Sequence, residues 1–162
     1  MARATKFDPG ESLALQDIAL WTTALTRPTR LEANLDAGDC TIQSMRGTSA
    51  NVFTTELDGF EGPVEVLRAY VTFGVRAVPK SDDSAEAFYT FEATYAIDYV
   101  IQKMPAEKDL ADFVAHNCVH NAWPFWRQHV YDTLKRASLP VPTIPLFSGK
   151  SGKRRVARSS KP

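Results

Sequence analysis

The chain has 162 residues, 44% of them hydrophobic, which suits one domain with a real core and leaves no room for a second. Two cysteines, Cys40 and Cys118, lie far apart with no signal peptide and no apolar run long enough to cross a bilayer, which favours a reducing, cytoplasmic compartment. The formal net charge of zero conceals an asymmetry: residues 149–162 carry six Lys/Arg and no acid, so the rest of the chain has 13 basic and 19 acidic residues, a formal −6.

In chain order, residues 1–10 read as a polar, flexible start, residues 11–148 as the folded domain, and residues 149–162 as a basic tail too poor in apolar groups to order itself. Leu13, Leu15, Ile18 and Leu20 alternate but change phase between Leu15 and Ile18, which predicts a strand with a bulge around Gln16-Asp17, continued by Trp21 to Leu25. Residues 29–62 are ambiguous, with a β candidate at 50–57 and turn signals at Asp36-Ala37-Gly38 and Asp58-Gly59. Leu67, Ala69, Val71, Phe73, Val75 and Ala77 form an apolar face opposite Arg68, Tyr70, Thr72 and Arg76, and Pro79 ends that strand. After a polar turn at residues 80–84, Tyr89, Phe91, Ala93, Tyr95, Ile97, Tyr99 and Ile101 alternate with Thr90, Glu92, Thr94 and Asp98, completing a long hairpin with one apolar and one polar face.

Pro105 opens a helix that is acidic in its first turns (Glu107, Asp109, Asp112) and basic at its far end (Lys135, Arg136), as the helix dipole favours. Leu110, Phe113, Val114, Asn117 and Cys118 follow helical spacing, and Trp126, Val130 and Leu134 resume it. Between them, Pro124 removes a backbone donor and pushes Trp123 away from α geometry, which predicts a kink or restart. Strands first and helix last give an α+β domain whose helical segment packs on one face of an antiparallel sheet.

Trp123-Pro-Phe-Trp-Arg127, about ten further helical residues, and then Leu139-Pro-x-x-x-x-Pro-Leu146 resemble the C-terminal signature of the SecB export-chaperone family and its SecB-like relatives. The resemblance covers roughly residues 13–147, strongest from Phe113 onward and weakest over 29–62. It implies a four-stranded antiparallel sheet with a long helix, assembly as a dimer or dimer of dimers, and ATP-independent holding of unfolded or pre-export polypeptide for translocation, with no cofactor. Trp21, Leu25, Val52, Phe53, Leu139, Ile144 and Phe147 are the expected client groove, and Trp123, Phe125 and Trp126 the expected oligomer or client contacts. The family's acidic docking surface for the SecA translocase motor matches this chain at Glu92, whereas Thr22 and Thr26 fill two of its other positions. The family's second helix over the groove is replaced here by Ser148-Gly149-Lys150 and the basic tail, which implies a shallower groove.

Two other functions compete with a general holdase: a dedicated chaperone of a toxin–antitoxin pair, whose groove takes one segment of the antitoxin, and a nucleic-acid or ribosome-associated protein acting through the tail. The acidic body disfavours the latter. Catalytic alternatives are weaker. His116-x-x-x-His120 has the spacing of a zinc pair, but Asn117 stands where the hydrolytic motif places its glutamate. Cys118 and His116 are two apart on a helix and do not face each other, which makes Cys118 a structural thiol. Gly149-Lys150-Ser151 matches the end of a phosphate loop, but Ile144 occupies the place of its first glycine. No enzyme activity, metal or membrane insertion is expected.

Overall fold

A computed structural model of the chain describes residues 7–27, 37–82 and 84–147. The first six residues, Asp36, and the basic tail with Gly149-Lys150-Ser151 lie outside the described residues. A single turn of helix, α1 (Pro9–Ser12), is capped by Asp8, whose carboxylate accepts from the Gly10 amide, and it leads into β1 (Leu13–Thr26). Then follow β2 (Cys40–Thr55), β3 (Val64–Pro79) and β4 (Tyr89–Ile101). The four strands form one antiparallel sheet in the order β1-β4-β3-β2, so β1 and β2 are its edges.

The expected hairpin is β3 and β4, and its apolar alternation becomes the core face of the sheet: Leu67, Ala69, Val71, Phe73, Phe91, Ala93 and Ile97 are each at most 1% exposed. β1 carries the expected bulge as a register shift between Leu15 and Asp17. It also carries a second shift, between Leu20 and Thr22, which leaves Trp21 as the extra residue. In the 29–62 stretch, β2 begins at Cys40, ten residues before the predicted start at 50. Its first half, Thr41-Ile-Gln-Ser-Met-Arg-Gly-Thr48, has no period-two apolar pattern because it is a largely exposed edge strand, ordered by its pairing with β3.

Beyond β4, the chain stays helical without a break from α2 (Glu107–Phe113) through a π turn (Val114–Cys118) into α3 (Val119–Arg136). The predicted break at Pro124 does not occur, and Trp123 is helical. Pro124 and His120, whose carbonyl loses its donor, are both exposed residues on the outer side of the helix, while Trp126 clamps the helix to the sheet from the other side. Its indole stacks on Phe73 (5.5 Å, 21°) and Phe91 (5.5 Å, 10°). The irregularity falls instead at the π turn, which inserts one residue into the helical phase. Asn117, which an unbroken α period places on the core side, is therefore exposed, and Val119 and Ala122 are buried beside Cys118 in its stead.

Two polar links tie the end of β1 to α3: Thr23 Oγ1 and His129 Nε2 are 2.9 Å apart, and the Arg27 guanidinium donates to the Ala137 carbonyl. Phe7 packs edge-on against Phe113. Among the described residues no helix is long and apolar enough to cross a membrane.

Candidate functional site

The site begins where α3 stops. Ser138 takes a left-handed conformation (φ 54°), its amide donates to the Lys135 carbonyl (3.1 Å), and the Leu139 amide reaches back to the Leu134 carbonyl (2.9 Å). This is the two-bond Schellman stop, sealed by the buried Leu134 and Leu139 side chains, with a serine where glycine is usual. The chain reverses, and residues 140–147 return along α3 as an extended strap. Three of those eight residues are prolines, which have no amide hydrogen to satisfy, so the strap lies flat without ladder partners. Its carbonyls are held instead by side chains: Tyr89 Oη donates to Pro140 O (2.8 Å), Arg127 Nε to Ile144 O (3.1 Å) and Trp123 Nε1 to Pro145 O (2.9 Å). Phe147 then packs on Trp123 (5.6 Å) and His120 (5.7 Å).

Between the strap and edge strand β2 lies a cleft of about 500 Å³. Phe73, Trp123 and Trp126 line its depth, Ile42, Met45 and Arg46 the β2 side, and Pro142 to Pro145 the strap side. A second opening of about 520 Å³ lies on the far side of the strap, against Arg127, Val130 and Tyr131 of α3. The first cleft is the better candidate, because it joins an apolar, aromatic trough to β2, an edge strand that among the described residues pairs only with β3. An extended peptide laid there meets apolar side chains on one side and strand backbone on the other.

The seven predicted groove residues are not one surface. Ile144 lines this cleft and Phe147 packs beside it on Trp123, while Leu139 is buried beneath the start of the strap. Leu25 pairs with Phe91 at the β1 edge, and Val52 pairs with Leu67 away from the cleft. Trp21 and Phe53 lie on the opposite, helix-free face, where their rings clamp the Arg68 guanidinium at 5.4 and 5.3 Å. Arg68 in turn makes a two-pronged pair with Asp98 (2.7 and 2.6 Å), which raises its already high pKa. The second Trp21 bulge turns that indole over Tyr70, 5.5 Å away, on this face.

Of the three residues expected at oligomer or client contacts, Trp126 is 2% exposed and belongs to helix–sheet packing, Trp123 is half-buried in the cleft, and Phe125 is 48% exposed on the outer side of α3. Glu92 is exposed on the helix-free face, opposite Gly74, where a Cβ would come within 2.6 Å of the overlying Met45 side chain. Ile42, Phe73, Arg46 and the proline wall were not assigned to a groove from sequence. The three prolines after a helix stop signalled the strap, but nothing local says which strand it faces.

Cys118 is fully buried against Tyr99, and burial pushes its thiol up to about 12, so it is protonated and no nucleophile at neutral pH. His116 is exposed and its Nδ1 is bonded to the Asp112 carbonyl oxygen (2.9 Å) rather than to Cys118.

No protein-family model matches the chain, and no curated protein does. Among solved structures, it is similar to the SecB-like chaperone of Mycobacterium tuberculosis in complex with a ChAD peptide from the HigA1 antitoxin: TM-score 0.63 at 16% identity, over 86% of this chain and 90% of that one. The fold is therefore SecB-like.

Proposed function

We propose that this SecB-like chain is an ATP-independent holdase that takes extended segments of unfolded or pre-export polypeptide into the cleft between β2 and the 140–147 strap. The observation that carries this is an aromatic trough beside an edge strand that, among the described residues, pairs with a strand on one side only. Apolar client residues gain by leaving water, and client backbone gains by bonding to β2, so binding depends little on client sequence and needs no cofactor. The acidic body keeps the complex soluble. We place it in the cytoplasm as a dimer or dimer of dimers, whose several weak clefts hold one long chain together. Docking to the SecA motor through Glu92 belongs to the same proposal.

A second reading is supported by the similar chaperone, which is bound to an antitoxin peptide: the cleft serves one dedicated antitoxin. A general holdase suppresses aggregation of an unrelated unfolded protein without ATP, at one oligomer per client, and keeps doing so after deletion of residues 149–162. Suppression no better than an inert protein control favours the dedicated chaperone. Loss of all client binding on deletion of the tail, with the fold intact, favours an electrostatic function of the tail.

A further inference from the structure

None of the described residues that line the cleft is an acid. β2 carries Arg46 as its only charge, residues 113–131 hold Arg127 and three histidines, and residues 133–147 hold Lys135 and Arg136, in a chain with 19 Asp/Glu. The acids of the neighbouring strand β4, Glu92 and Asp98, pair across the sheet with Gly74 and Arg68 and project from the opposite face. Asp132, one position outside the acid-free run of α3, accepts two bonds from Gln128.

Among the described residues, Arg46 is the one charged residue lining the cleft. Its guanidinium lies 5.8 Å from the Phe147 ring centre, and the single ion pair among the described residues is Arg68–Asp98, elsewhere. Its β2 neighbours on the same face, Ser44 and Thr48, are neutral. A cation seated on an aromatic wall without a carboxylate is a ready partner for one brought by a client.

We infer that the cleft selects extended segments in which an apolar or aromatic run is flanked by Asp or Glu, with Arg46 receiving the client carboxylate. This rests on the cleft being the client site. Such segments are repelled by the acidic exterior and accepted at a trough whose described lining has no acid, which steers them to the productive position.

Three peptides with one apolar core and flanks of Asp, Asn or Lys are titrated into the full-length protein by calorimetry. The Asp-flanked peptide binds about three- to tenfold tighter than the Asn-flanked one at low salt, and the gap narrows near 1 M salt, where the screening length falls to about 3 Å. Arg46→Glu, with an unchanged circular dichroism spectrum, reverses the order of the Asp- and Lys-flanked peptides. Equal affinity of all three, or tightest binding of the Lys-flanked peptide, overturns the preference while leaving the cleft as a client site. Failure of all three to bind overturns both.

Discussion

Two buried tyrosines show how much a single hydroxyl decides. Tyr89 and Tyr95 both sit on the core face of β4, and burial pushes the phenol of Tyr89 up to about 12 and that of Tyr95 higher still. Tyr89 donates to the strap at Pro140, whereas Tyr95 Oη has no hydrogen-bond partner among the described residues. Losing a satisfied buried bond costs about 1 kcal/mol, while removing an orphaned polar atom is neutral or gains about 1 kcal/mol. Tyr89→Phe is thus expected to lower the urea midpoint and Tyr95→Phe to hold or raise it. The opposite ranking would show that the Tyr95 hydroxyl has a partner in solution. Sequence marked both residues as core but could not tell them apart, because the difference lies in where the strap returns, more than fifty residues later.

Among the elements, β3 and β4 were legible because both are buried on one face, and burial imprints period two on the residues. β2 was half invisible for the converse reason: as an edge strand with Ser, Thr and Gly facing water, it keeps its place through backbone pairing, which leaves no trace in composition. The π turn was missed because a one-residue phase slip is too small to separate from ordinary irregularity in the helical period. Pro124 was over-read; a proline breaks a helix only where the freed carbonyl and the ring have nowhere to go, and here both residues concerned, His120 and Pro124, are exposed. Pro124→Ala restores a donor to His120 and is expected to stabilise the protein by about 1–3 kcal/mol, seen as a raised melting temperature. A lowered one would mean that the path of α3 over the sheet depends on the proline.

At the scale of the molecule, the SecB-like fold was legible from the proline- and tryptophan-marked C-terminal signature, but the candidate site was legible only in part. The expected groove came with the resemblance, which does not say which face of the sheet each residue occupies in this chain; bulging of β1 put Trp21 on the far one. The protomer also leaves Leu15 and Leu20 (49% and 46% exposed) on the β1 edge and Phe125 and Tyr131 (48% and 54%) on the outer flank of α3. We expect these exposed apolar side chains to be covered in an oligomer. Light scattering at micromolar concentration is expected to give a multiple of the 18.0 kDa protomer mass, and a stable monomer would remove avidity from the account. The cleft itself is tested most directly by site-specific photo-crosslinking to an unfolded client. A photoreactive side chain is placed either at Thr143, on the strap wall, or at Glu92, on the helix-free face, in protein that still suppresses aggregation. The account predicts client crosslinks from position 143 and none from position 92; crosslinks from 92 with none from 143 would contradict it.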